Sequence, residues 1–190
     1  MNGIEISSSV PSAALERRRL YIESGELAPD DCAVYAMTDF RRECPICVAP
    51  GTSIEAALAD MNRLGIHALL VTRPDAACGH EQMLGLITAY RIRQRAAHER
   101  RLPPSLRASV CMVGEIMTPW DQLALVNYRS LRYLNASEVY QMFQGSGLTH
   151  VMVVETDDDD SVVARGLISR AALASRLREE SSPALGGARD

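Results

Sequence analysis

The chain has 190 residues, 47% of them hydrophobic, and a formal net charge of −4. This content suffices for one compact core or two small ones, and the acidic balance excludes a generally basic nucleic-acid-binding surface. No apolar run approaches the roughly 20 residues of a membrane helix, and Met1–Val10 lacks the residue order of a signal peptide. We therefore predict a cytoplasmic protein with neither nucleic-acid nor membrane partners.

The first half of the chain divides into an N-terminal extension, a folded segment and a linker. Residues 1–31 form the extension, with a short helix over Pro11–Ile22. The folded segment covers 32–101, and the linker at 102–112 begins where consecutive prolines stop the last helix. The predicted elements of 32–101 are a strand at Pro45–Val48, a helix capped by Ser53 and ended by Gly65, a strand at Ala68–Thr72, a loop at Arg73–Gln82, a strand at Met83–Thr88 and a helix at Ala89–Arg101.

The second half, residues 113–178, has a similar order of elements, and a flexible tail at 179–190 follows it. Its first strand has two candidates, Leu123–Val126 and Tyr128–Leu134, and both stay open. The other predicted elements are an opening segment at Val113–Met117, a helix capped by Asn135, strands at Val151–Glu155 and Val162–Ile168 around a loop at Asp157–Asp160, and a helix over Ser169–Leu177.

Three short motifs recur in the same order, 80 to 82 residues apart. They are Met37-Thr38 with Met117-Thr118, Gly65-Ile66 with Gly147-Leu148, and Gly85-Leu86-Ile87-Thr88 with Gly166-Leu167-Ile168-Ser169. Ordered anchors at a nearly constant spacing indicate an internal repeat. Each copy places a hydroxyl between a strand and a helix, where unpaired backbone N–H groups attract anions.

With these motifs, Ala36–Leu177 resembles a tandem pair of CBS domains, a Bateman module. The resemblance implies an α/β (α+β) fold of two pseudo-twofold related β-α-β-β-α repeats packed sheet to sheet. It also implies a stand-alone regulatory module, not an enzyme, that senses an adenosine-containing ligand in the cleft between repeats and signals to an unidentified effector protein. No cofactor is required; the candidate ligands are AMP, ADP, ATP and S-adenosylmethionine. The resemblance further implies a homodimer formed through the CBS helices.

The candidate ligand-binding residues lie at the strand ends of both repeats: Ile66, His67, Ala68, Thr88, Arg91, Thr149, His150, Val151, Ser169 and Arg170. Nucleotide-binding members of the family carry an aspartate for the ribose three residues after the hydroxyl. Here Arg91 and Ala172 occupy that position, and neither accepts a hydrogen bond from ribose. Two hypotheses stay open: Arg91, Arg165 or Arg170 binds phosphate, or the module is a ligand-free structural and dimerisation unit with Arg91 paired to an acidic neighbour.

The five cysteines are an odd number, which favours reduced thiols over a disulfide framework. Cys44-Pro45-Ile46-Cys47 is a Cys-x-x-Cys motif, and Cys78-Gly79-His80 offers further ligands only if its loop folds over. We predict no metal site, and the role of Cys44 and Cys47 stays open.

Overall fold

The computed structural model describes residues 25–74, 81–102, 110–156 and 162–177. The predicted helix at Pro11–Ile22, the loop at Asp157–Asp160, the Cys78-Gly79-His80 segment and the tail lie outside these residues. No helix in the described ranges is long and apolar enough to cross a membrane. The chain forms two compact units: the continuous unit, Phe40–Ala124, and the split unit, Met1–Asp39 with Leu125–Asp190.

The continuous unit contains a four-stranded sheet in the order β2-β3-β4-β5. Its elements are β2 (Cys47–Val48), α1 (Ile54–Leu64), β3 (Ala68–Pro74), β4 (Glu81–Thr88), α2 (Ala89–Arg101), α3 (Val113–Ile116) and β5 (Thr118–Pro119), followed by a 3₁₀ turn at Trp120–Gln122. β2 and β3 are parallel, whereas β3–β4 and β4–β5 are antiparallel.

Local sequence signals explain where α1 begins and ends. The Ser53 hydroxyl accepts a hydrogen bond from the amide of Ala56, and Gly65 adopts the left-handed conformation, with φ of 67°. Glycine has no Cβ to oppose that conformation, so it ends the helix at little cost. Side chains of α1, β3, β4, α2 and α3 then form one apolar core, which includes Ile54, Met61, Val71, Ile87, Ile92 and Val113.

The split unit contains a second sheet, in the order β1-β8-β7-β6. Its elements are a 3₁₀ turn at Ala33–Ala36, β1 (Thr38–Asp39), β6 (Leu125–Asn127), α4 (Tyr128–Leu131), α5 (Ala136–Phe143), β7 (His150–Thr156), β8 (Val162–Ser169) and α6 (Arg170–Arg176). Asn135 caps α5 by accepting from the amide of Glu138. Leu27, from the N-terminal segment, is fully buried, and its amide donates to the carbonyl of Arg176.

The two hairpins repeat the same register. Ala68 lies opposite Thr88 and His150 opposite Ser169, and each hairpin has a β-bulge after the pairs Val71–Gly85 and Val153–Gly166. The additional bulge residues are Leu84 and Arg165, because the pairing then resumes at Thr72–Met83 and Val154–Ala164.

Each Met-Thr motif joins the sheet of the other sequence repeat. Thr118 of β5 pairs with Leu86, and Thr38 of β1 pairs with Leu167. A Cβ at Gly85 would overlap the backbone carbonyl of Thr118, and one at Gly166 would overlap that of Thr38. The repeated glycine therefore permits the close approach of this short edge strand.

The predicted mixed fold with two related repeats is confirmed, and both caps, the glycine end of α1 and the bounds of α2 agree with prediction. Among the candidates for the first strand of the second repeat, Tyr128–Leu134 is wrong. β6 covers Leu125–Asn127 and pairs with β7, whereas Asn127 caps a helical turn at Tyr128–Leu131. The loop predicted to begin at Arg73 begins later, since β3 extends to Pro74 and Arg73 pairs with Gln82.

Candidate functional site

The junction between β4 and α2 brings four predicted residues into one short region. Thr88 is largely buried, and its hydroxyl accepts a hydrogen bond from the amide of Arg91 at 3.2 Å. The amide of Ala89 donates to the carbonyl of His67 at 2.9 Å, and Ala68 pairs with Thr88 across the hairpin. This part of the predicted site is therefore formed by adjacent backbone, with Thr88 at its centre.

The split unit repeats this arrangement at the junction between β8 and α6. The Ser169 hydroxyl accepts from the amide of Ala172 at 3.4 Å, and the amide of Arg170 donates to the carbonyl of Thr149 at 2.9 Å. His150, which pairs with Ser169, is half-buried, and its Nδ1 lies 3.0 Å from the Thr149 hydroxyl. The helix that follows has only 7 residues, against 13 in α2.

At both junctions, two of the first three helix amides already have partners within the protein. The first bonds a backbone carbonyl and the third bonds the capping hydroxyl, at Ala89 and Arg91 in one unit and at Arg170 and Ala172 in the other. An anion would thus meet fewer donors than the sequence indicates, because these groups satisfy each other. Side-chain charge must supply more of the attraction.

Arg91 provides such charge on the exposed side of α2. Its Nε donates to the carbonyl of Ile116, the last residue of α3, at 2.8 Å. The open alternative, an acidic neighbour for Arg91, is not found: among the described residues, Arg91 forms no ion pair with a carboxylate. Arg91 therefore bonds a helix C-terminus, where unpaired carbonyls favour cations.

The first turns of the helices differ in charge. Three helices carry a glutamate there: Glu55, Glu115 and Glu138. The first turns of α2, α4 and α6 contain no acidic residue and instead include Arg91, Arg129 and Arg170. Because the N-terminal end of a helix is already partly positive, these three helix starts are the more electropositive ones, and those of α2 and α6 follow the strand-end hydroxyls.

Arg165, another candidate for phosphate binding, already contacts two carboxylates and an aromatic ring. Its guanidinium donates to both carboxylate oxygens of Asp39, its Nε lies 3.4 Å from Glu155 Oε2, and it stands 5.0 Å from the centroid of the Tyr128 ring. With two carboxylates around one buried guanidinium, the cluster carries no net positive charge to offer a phosphate.

The remaining predicted residues differ in exposure. Ile66 is half-buried and its amide donates to the Met61 carbonyl at 3.0 Å, His67 is exposed, and Val151 is buried within β7. Exposed His67 is thus available to solvent at the edge of the junction, whereas Val151 contributes to the fold.

Cys44 and Cys47 are both exposed, and residues 44–46 form neither a turn nor a bend. A disulfide or a two-cysteine metal site needs the two side chains to converge, so this conformation favours neither. Within the described ranges, no group of three or more histidine, cysteine or acidic side chains is arranged to hold a metal ion. Burial raises the pKa of the Cys111 thiol, and its hydrogen bond with Glu115 acts in the same direction.

Sequence reasoning missed the partners that join distant parts of the chain. Asp39, Glu155 and Tyr128 surround Arg165, yet none stands in a repeated motif. The contact of Arg91 with Ile116 spans 25 positions. The one available signal was the Met-Thr motif, since Asp39 and Ile116 lie beside its two copies.

The fold and the junctions define a two-repeat α/β module with exchanged edge strands. Residues 37–98 match the family model of the CBS domain. The family model thus covers the first sequence repeat, and the second has the same element order and register, as the predicted tandem CBS pair requires.

Several solved structures are similar to this chain. The chain is 19% identical to CBSX2 in complex with AMP, covering 76% of this chain and 93% of that one, with a TM-score of 0.48. An uncharacterized conserved protein from Pyrococcus horikoshii is 21% identical, with 81% of this chain and 98% of that one covered and a TM-score of 0.49. A CBS-domain-containing protein from Agrobacterium tumefaciens is 20% identical, with 74% of this chain and 93% of that one covered and a TM-score of 0.48. No curated relative matches the sequence.

Proposed function

We propose that this chain is a regulatory CBS module that binds an adenosine-containing phosphorylated ligand and signals its presence to a partner protein. The observation that carries the proposal is the β4–α2 junction. There the Thr88 hydroxyl accepts from the backbone amide of Arg91 at the start of a 13-residue helix whose first turn includes this arginine and no carboxylate. This electropositive start suits a phosphate group, and it lies within the segment that matches the CBS family.

The two junctions are not equivalent in this proposal. The β4–α2 junction precedes the longer helix, of 13 residues. The β8–α6 junction precedes a helix of 7 residues. Since the helix dipole and the charge beside it act together, the continuous unit is the stronger anion site.

Thermal-shift measurements with AMP, ADP, ATP and S-adenosylmethionine test the proposal, with adenosine and inorganic phosphate separating the two halves of the ligand. A ligand at one hundred times its Kd adds about 2.7 kcal/mol of stability. For a protein of this size that corresponds to a rise in melting temperature of about 5–10 °C. Arg91→Glu should abolish the rise, whereas Arg93→Glu, a matched change at another exposed arginine of α2, should retain it.

Arg170→Glu separates the units: a retained shift assigns binding to the continuous unit. Thr88→Ala is a poor test, because it also removes a helix cap worth about 1 kcal/mol. Thr88→Ser keeps the cap and should keep binding. A melting temperature unchanged by all six compounds contradicts the proposal.

A second candidate function is a ligand-free structural module. It is supported by the hydroxyls of Thr88 and Ser169, which cap their own helices, and by the missing ribose-binding aspartate. Under either function we propose a homodimer formed through the CBS helices. Light scattering that gives the mass of one chain at micromolar concentration would refute the dimer.

A further inference from the structure

In each unit, an arginine contacts the short edge strand that carries the Met-Thr motif, β1 or β5, or the residues just before it. The two contacts differ in strength. In the split unit, Arg165 binds Asp39 of β1 through two hydrogen bonds and is largely buried. In the continuous unit, the Arg91 side chain donates a hydrogen bond to the carbonyl of Ile116, two residues before β5. The first contact is a charge-assisted pair shielded from water, and the second is a single exposed bond to a neutral acceptor.

The segment held by Arg91 links several parts of the continuous unit. The amides of Val113 and Gly114 donate to the carbonyls of Thr52 and Pro50, each at 2.8 Å. The segment then continues into β5, which pairs with β4 at Leu86 and Gly85. Residues 113–119 therefore run from the start of α1, past Arg91, to the edge of the strand that ends at Thr88.

An anion at the β4–α2 junction would compete for the Arg91 guanidinium. A phosphate offers charged oxygens in a planar, two-pronged match to arginine, whereas Ile116 offers one neutral oxygen. Because the Arg91 side chain is exposed, it can turn toward such a ligand without leaving a buried charge unpaired.

We propose that Arg91 couples ligand occupancy to the 113–119 segment: an anionic ligand draws the guanidinium from the Ile116 carbonyl, and the segment loosens. This inference rests on the proposed function and adds the means by which binding is transmitted. Ligand binding thereby acts on the chain just before it enters β6 of the split unit. The buried Arg165–Asp39 pair is the fixed counterpart of this contact and does not respond to ligand.

Hydrogen–deuterium exchange of the full chain tests the coupling through peptides that cover 110–119. The bonded amides of Val113, Gly114 and Met117 report on the segment. Arg91→Ala should raise their exchange by about fivefold without ligand, the effect of losing one hydrogen bond. Saturating AMP should raise wild-type exchange in the same peptides by a similar factor, and should leave Arg91→Ala unchanged. Arg93→Ala should behave as wild type in both conditions.

The failures of the two proposals are distinguishable. If Arg91→Ala leaves exchange at the wild-type rate, the contact does not hold the segment and the coupling is overturned, whatever binds. If AMP raises the wild-type melting temperature but leaves 110–119 unchanged, the coupling is overturned and the ligand site stands. If AMP, ATP and phosphate all fail to bind, the proposed function and the coupling both fall, even where Arg91→Ala loosens the segment.

Discussion

The buried arginine of the split unit allows a quantitative test of what fixes β1 in place. Arg165→Leu is the natural substitution to use, because Leu84 occupies the equivalent bulge position of the continuous unit. The side chains of Arg165, Asp39 and Glu155 are 9%, 16% and 23% exposed. Removing one partner of a buried pair costs about 3–5 kcal/mol. Since both carboxylates keep some contact with water, we expect the lower end, about 3 kcal/mol.

A double-mutant cycle separates the pair from its surroundings. Asp39→Ala alone should cost about 2 kcal/mol, because Arg165 then still has Glu155 and the Tyr128 ring beside it. The double variant should cost about 3 kcal/mol, well below the sum, since each single change leaves a charge without its partner. Urea denaturation with linear extrapolation gives the free energy of unfolding for each variant.

The matched control is Arg63→Leu, in an ion pair with Asp60 whose side chains are 69% and 49% exposed. Solvent screening limits such a pair, and the loss should stay within about 0.5 kcal/mol. The reasoning is refuted if Arg165→Leu costs no more than Arg63→Leu, or if the two single losses simply add.

Three further predictions concern single positions. Gly85→Ala should lower the free energy of unfolding by about 2 kcal/mol or more, as its Cβ would meet strand backbone, whereas Gly51→Ala, with open space around it, should be nearly neutral; urea denaturation compares them. Asn135→Ala should cost about 1 kcal/mol in the same assay through the lost cap of α5, and unchanged stability would contradict that role. The backbone hydrogen bond at the start of α3 lowers the pKa of the Glu115 carboxyl in the fold. The stability that Glu115 contributes is therefore present above the pKa of the unfolded state and lost as pH falls through the pKa of the folded state. In Glu115→Gln, the free energy of unfolding should accordingly depend less on pH between about pH 5 and 3.

The features that sequence predicted correctly are local ones. Ser53, Asn135 and the strand-end hydroxyls cap helices that begin at the next residue, so a few neighbouring residues carry the whole signal. The repeat added long-range information, because two copies with one spacing must share one fold. Identical bulges after the Val71–Gly85 and Val153–Gly166 pairs show how far that inference extends.

The partners of Arg91 and Arg165 could not be predicted from the sequence, for a physical reason. Arg165 and Asp39 stand 126 positions apart, and they meet because β1 crosses into the sheet of the other repeat. Nothing in the residues near Arg165 indicates which acidic group will reach it. At Arg91 the acceptor is a main-chain carbonyl, which every residue possesses, so residue type gives no signal at all.

Because the edge strands are exchanged, the sequence repeats and the two compact units have different boundaries. The predicted domain boundary, 32–101, omits β5, Cys111 and Val113, the last two being core residues of the continuous unit. It also retains β1, whose partner strand lies in the split unit. A fragment of residues 40–124 keeps the whole β2-β3-β4-β5 sheet and should give a sharper urea transition and slower amide exchange in β3 and β4 than a fragment of residues 32–101. If the 32–101 fragment is equally protected, β5 and the 111–113 segment contribute little, and the sequence repeat is itself the folding unit.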